Sequence, residues 1–311
     1  MPSIVQFFHP GSEHGYDKHY KNSKYLKNWN KEDHKRKFII NKGSYIENNI
    51  KYDGIMSFWC EWEPTSLVEN LYAPNKILPH DVYPKYLHFP FLPPKDRIKI
   101  YQEKNYQNTD PFVFGDKFRY AICRQDSCPV LKDLEKGSLI LFGSRVNNRF
   151  AIDTVFVVKE YLKYYSTLDK NLDYLGLYTE IVLRMACEEK LATDKINRTL
   201  YTGATYDDPI NGMYSFVPAR KYENKKQGFP RIIMPDDFYD IKNNRINKYF
   251  SKWEIRYNKI YEGKNTGINE TYASLDEITF FWNYIKEFTS KNHVLGYNFE
   301  MPKEEEIIKL K

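Results

Sequence analysis

The sequence predicts an α+β fold: a curved mixed β-sheet or barrel with helices packed outside it. Three observations lead there. Between Phe118 and Val158 lie three apolar runs, Phe118–Cys123, Ser138–Phe142 and Phe150–Val158. They are rich in β-branched and aromatic residues and bounded by turn formers, which is the pattern of strands. The last two are joined by residues 143–149, GSRVNNR, a connection with hairpin chemistry. Helical patterning is sparse. It covers a short segment at 129–135, an amphipathic stretch Leu175–Leu191, and a helix opened by the capping box Ser274-Leu-Asp-Glu277 that runs through Phe288.

The remaining elements follow in chain order. Ile4–Phe8 reads as a strand leading into the turn-forming loop His9–His14. Lys51–Trp62 reads as a strand that Glu63-Pro64 ends, because the residue before proline is restricted. Residues 64–116 carry many prolines and are too apolar for a flexible linker, so they are expected to pack over the core. Leu200–Tyr206 and Met213–Pro218 read as strands, with the hairpin-loop chemistry of 207–212 between them. His293–Phe299 is the last strand, before a charged tail. We expect one composite domain over 1–311: an aromatic and basic part (1–116), a central β core (117–220) and a helical part (221–311).

Bulk properties narrow the function classes. Hydrophobic residues make up 41% and aromatics 17%, too much for a disordered chain. The net charge of +6 is compatible with a polyanionic partner without demanding one. With no long apolar run, no membrane span is expected. The first residues lack a basic start followed by an apolar stretch, so no signal peptide is expected and the location is read as cytoplasmic. Four cysteines without a CxxC pair read as reduced thiols. The nucleotide-fold, P-loop, nucleophile-elbow and HExxH motifs are all missing, and no cofactor is expected.

Several constellations carry possible chemistry. Residues 15–37 interleave Lys18, Lys21, Lys24, Lys27, Lys31, Lys35, Arg36 and Lys37 with Tyr16, Tyr20, Tyr25 and Trp29, which suits phosphates and stacked bases. Trp59 and Trp62, with Glu61 and Glu63, would wall a base pocket if the strand bends after Cys60; otherwise both indoles are core. Ser144, Arg145 and Arg149 flank the central hairpin, where arginine forks suit phosphate contacts. Tyr201 and Thr202, followed by Gly203, form a ligand rim or a strand end. Asp153 sits in an apolar run and needs a partner, for which Arg119 or Arg149 is the candidate. His9, Glu13 and His14 offer imidazole and carboxylate ligands for a metal, or are polar loop residues.

The order of strand, short helix, Gly137-Ser-Leu-Ile-Leu-Phe142, hairpin and AIDTVFVV resembles the PUA-like superfamily, which includes the ASCH and EVE domains. Ser138 stands where that family commonly has Asp. The resemblance covers roughly residues 115–220. It implies a curved β-barrel that binds RNA or DNA, in several branches reading a modified base. The HPGSEH and FWCEWEP stretches resemble motifs of bacterial proteins associated with nucleotide modification or phage defence. The function expected is therefore nucleic-acid or nucleotide binding, with recognition of a modified base. The alternative is a metal-dependent hydrolase or nuclease using the His9, Glu13, His14 cluster. Whether the chain is an enzyme stays open at this stage.

Overall fold

The structure is a computed structural model that describes residues 2–9, 11–20, 24–71, 82–104, 106–126, 128–146, 149–163, 172, 175–186, 198–223, 228–234 and 268–304. Its strands are β1 (Ser3–His9), β2 (Lys18–Tyr20), β3 (Lys24–Lys27), β4 (Lys37–Glu47), β5 (Ile50–Cys60), β6 (Ser66–Asn70), β7 (Tyr86–Pro90), β8 (Arg119–Tyr120), β9 (Leu139–Val146), β10 (Arg149–Lys163), β11 (Thr199–Gly203), β12 (Val217–Lys221), β13 (Ile232–Ile233), β14 (Ile268–Tyr272) and β15 (Val294–Phe299). The longer helices are α1 (Lys95–Glu103) and α2 (Leu275–Ser290).

Among the described residues the strands form two mixed sheets and no closed barrel, within the α+β class. The first sheet runs β14-β1-β9-β10-β11-β8, with β13 also on β10; the second runs β15-β12-β5-β4-β7-β6-β3-β2. β1 pairs in parallel with β9, and β4 pairs in parallel with β7. β1 is buried along its whole length, as expected of a central strand covered on both faces. Its side chains alternate between two cores. Val5 and Phe7 join Phe58, Phe142, Phe156 and Val217 between the sheets. Ile4 and Phe8 join Leu139, Leu141 and Val155 on the other face, where Phe281, Trp282 and Ile285 of α2 cover them. α2 begins at the capping box: Ser274 Oγ accepts from Glu277 N, and Glu277 caps Ser274 N in return.

The structure corrects several expectations. Only Arg119 and Tyr120 of the Phe118–Cys123 run form a strand, because the Asp110 carboxylate takes the next amides: Ala121 N (3.1 Å), Ile122 N (2.7 Å) and Cys123 N (2.6 Å). The expected hairpin of 200–206 with 213–218 does not form. β11 pairs with β10 and β8 in the first sheet, while β12 pairs with β5 and β15 in the second. The described part of the 175–191 stretch is a wide helical turn, Thr179–Leu183, followed by a tight one, Arg184–Ala186; residues 187–191 lie outside the described residues. Strands from all three expected parts pair with one another: β1 lies between β9 and β14.

Two local features position the site below. The β4–β5 hairpin turns through Asn48 and Asn49, both with positive φ (51° and 62°), the backbone that Asn tolerates in a tight hairpin. In β10 the register shifts between Ile152, opposite Gly143, and Thr154, opposite Phe142. Asp153 is thus the extra residue of a bulge, and a bulge re-aims its side chain. Gly143 is required there, since a Cβ would lie 2.3 Å from Ala151 O.

Candidate functional site

The chain gathers its buried charge at one place. β1 ends on His9, and the segment after it is held against residue 36 by His14 N to Arg36 O (2.9 Å) and Arg36 N to Ser12 O (2.8 Å). After β5 the chain runs on through Glu61, Trp62 and Glu63. Both carboxylates turn toward the histidines, while Trp62 packs into the inter-sheet core. His34 and Arg36 bear the same i, i+2 relation and meet them.

The geometry is tight. His34 Nδ1 lies 3.2 Å from Glu61 Oε1 and 3.2 Å from Glu63 Oε1. Glu61 Oε1 also accepts Asp110 N (3.1 Å), and its Oε2 accepts Arg36 Nη1 (2.8 Å), with His9 Nε2 3.8 Å away. His14 Nε2 stands 3.7 Å from Glu63 Oε2, and neither atom has a hydrogen-bond partner. His9 Nε2 is 3.4 Å from Cys123 Sγ. The side chains of Glu61 and Glu63 are 1% and 0% exposed, whereas that of His34 is 26% exposed, so solvent reaches the cluster past His34.

A second tier continues from Arg36. Its Nε is 3.0 Å from Asp153 Oδ2. Asp153 accepts from Ser144 Oγ (3.3 Å) and from Arg231 Nη1 (3.4 Å), and Arg231 Nη1 also donates to Ser144 Oγ (2.9 Å). Arg231 Nη2 donates to Gly11 O (2.9 Å), and its guanidinium lies 3.8 Å over the Trp59 ring. Asp153 is therefore paired with Arg36 and Arg231, not with the expected arginines. Arg119 pairs with Asp116, and Arg149 donates to Met234 O.

The electrostatics divide the histidines. Burial and the Arg36 charge hold His9 well below the ordinary imidazole value, and burial lowers His14. Burial also acts to lower His34, but the charge of Glu61 and the hydrogen bonds to both carboxylates outweigh it and raise its pKa to about 11. Burial pushes Glu61 and Glu63 upward, yet their cationic and imidazole neighbours win and lower both. Lys37 is fully buried and lowered to about 7 by burial; its Nζ donates to Pro64 O (2.9 Å). His34 is expected to stay protonated at pH 8, where His9 is neutral, as side-chain nitrogen NMR would read. The His34 contribution to stability is fully present below pH 6.5 and is lost as pH rises toward about 11. The stability difference between wild type and His34→Gln should shrink across that range, and a constant difference would contradict the assignment.

His34, Glu61 and Glu63 each offer a donor atom within 4.8 Å of the others, in a set able to hold a metal ion. Comparison with known protein families, with curated proteins and with solved structures finds no match.

The candidate residues from the sequence separate. His9, His14, Glu61 and Ser144 belong to this cluster. Glu13 does not: its carboxylate accepts Lys85 N (3.0 and 2.9 Å) and Tyr86 N (3.1 Å) and is raised to about 7 by burial. Trp59 and Trp62 lie in different apolar clusters. Trp59 packs with Phe38 and Phe229; Trp62 packs against Phe114 in the main core and donates to Thr65 O (3.0 Å). The Tyr201 hydroxyl is buried between Leu131 O (2.8 Å) and Leu134 N (3.0 Å), and Thr202 pairs with Arg119 on β11. The Arg145 side chain lies outside the described residues. In the basic stretch, Lys27, Arg36 and Lys37 are buried, while Lys18 and Lys31 are exposed.

His34 was not among the ligands read from the sequence, Arg36 was read only as part of the basic stretch 15–37, and Arg231 was not singled out. A signal for the first two existed in the matched i, i+2 pairs, His34/Arg36 and Glu61/Glu63, each at one end of a strand. Arg231 gave none, since it reaches Gly11 across 220 residues.

Proposed function

We propose that this chain is a metal-dependent hydrolase whose metal is held by His34, Glu61 and Glu63, with His14 completing the set. The observation that carries this is the gap between His14 Nε2 and Glu63 Oε2. Both atoms are buried and without a hydrogen bond, and 3.7 Å is too long for one. It matches the spacing of two donors that share an ion at about 2.0–2.2 Å from each. Two imidazoles and two carboxylates suit zinc or manganese. A divalent ion there supplies a nucleophilic water at neutral pH and polarises the scissile group. The chain supplies the rest. His9 is a neutral imidazole beside Glu61, able to take up a proton. Arg36 fixes the Glu61 carboxylate by donating to Oε2, and Asp153 and Asp110 N fix the two groups in turn. Glu61 and Glu63 are buried, and solvent reaches them past His34.

The test is an assay of chelator-stripped protein on chromogenic phosphoester, carboxylester and amide substrates, before and after addition of Mn²⁺ or Zn²⁺. Activity should appear with metal and fall by about 100-fold or more in His14→Ala and Glu63→Gln. Activity unchanged in both variants would remove the proposal.

The net charge of +6, the exposed Lys18 and Lys31, and the PUA-like resemblance of residues 115–220 support a second reading, binding of a nucleic acid or nucleotide, including a modified base. Binding of that kind weakens steeply with salt. A titration at low salt that detects neither DNA nor RNA would end it.

A further inference from the structure

We propose that the group accepted at this centre is phosphoryl, and that Nη2 of Arg36 holds it. The inference rests on the metal-hydrolase reading and deepens it by naming the substrate class. Arg36 is 2% exposed. Two of its three guanidinium nitrogens face carboxylates: Nη1 donates to Glu61 Oε2 at 2.8 Å, and Nε faces Asp153 Oδ2 at 3.0 Å. Nη2 has no partner. A buried guanidinium N–H without an acceptor is uncommon, and it points to an acceptor that arrives from outside the chain.

The acceptors nearby are already engaged. Glu61 serves His34, Asp110 N and Arg36, and Asp153 serves Ser144, Arg231 and Arg36. His9 Nδ1, the ring nitrogen that does not face Glu61, is buried and unpartnered as well. Glu61 thus stands beside an unpartnered guanidinium donor on one oxygen and the candidate metal ligand His34 on the other. A phosphoryl group has oxygens for both the donor and the metal. A guanidinium N–H beside a metal is a recurring way to hold a phosphoryl group as its charge develops. In the hydrolysis, a water oxygen bonds to phosphorus, the bond to the leaving oxygen breaks, and the water proton ends on that leaving oxygen.

The geometry also makes binding conditional. Nη2 belongs to the guanidinium that Glu61 already contacts, so an anion placed there meets a carboxylate at short range. A metal ion on Glu61 removes that repulsion. Phosphate and metal are therefore expected to bind with positive coupling.

The experiment is isothermal titration of the full chain. Metal is titrated first; then inorganic phosphate, and acetate as the planar oxyanion, are titrated into metal-saturated and into stripped protein. Phosphate should bind the metal-saturated protein at least about tenfold tighter than the stripped protein, and at least about tenfold tighter than acetate. At saturating metal, Arg36→Lys keeps the charge but loses the Nη2 donor and should weaken phosphate by about tenfold or more. Metal binding without phosphate binding, or with equal affinity for phosphate and acetate, overturns the inference and leaves the metal reading standing. Absence of metal binding overturns both. The wild-type arms decide the matter even where Arg36→Lys fails to fold.

Discussion

Replacing Glu61 with alanine is expected to destabilise the fold by about 3–5 kcal/mol, because it removes one partner of a buried ionic network and leaves the others charged. Glu61 accepts from the buried Arg36 Nη1 and Asp110 N and faces the partly exposed His34. Loss of its carboxylate strands the Arg36 guanidinium between Asp153 and an empty space. Glu61→Gln keeps an acceptor for Asp110 N and should lose less. Because the folded-state pKa of Glu61 is lowered, its contribution is present above pH 4.5 and disappears as pH falls through the folded value. Denaturant unfolding of wild type and both variants at neutral and acidic pH reads this directly. A loss below about 1 kcal/mol at neutral pH would mean that the network is solvated and its charges are not coupled.

Trp62→Ala should cost about 3–5 kcal/mol as well, by a different mechanism. The indole is fully buried between the sheets, edge-on to Phe114, with Nε1 donating to Thr65 O. Its removal leaves a cavity and takes one of the two donors from Thr65 O, which keeps Phe91 N. Trp59→Ala loses a buried indole too, and in addition takes away the ring under Arg231, whose guanidinium orients Asp153 and Ser144. The two variants should therefore differ in function. Trp62→Ala should lower the melting temperature while the surviving folded protein binds metal normally. Trp59→Ala should also perturb the phosphate affinity read beside Arg36. Equal ligand affinity in both would show that Arg231 does not act through Asp153.

The legible parts of the sequence were those with local causes. The β9–β10 hairpin and the capped α2 could be read because their turn and cap residues sit beside the strands and helix they start. β15 and β1 were readable from their apolar runs. β4 was passed over, since Lys42, Gly43 and Ser44 interrupt its pattern, and its identity comes from pairing with β5 along eleven positions. The Phe118–Cys123 run has strand composition, but Asp110 takes its amides instead of a neighbouring strand. The site was legible in pieces. His9, His14 and Glu61 were visible as chemistry-bearing residues, but Glu13 looked equivalent to them until the Lys85 and Tyr86 amides claimed it. The Asp153 carboxylate announced that it needed a partner. Which partner depended on a bulge and on Arg231, both consequences of tertiary packing.

The most direct measurement is anomalous scattering from crystals of the chain equilibrated with Zn²⁺ or Mn²⁺, collected on either side of the metal's absorption edge. The account predicts a peak about 2.0–2.3 Å from both Glu63 Oε2 and His14 Nε2, with His34 Nδ1 turned onto it. Crystals that show no peak there, with His14 and Glu63 still 3.7 Å apart, would contradict it.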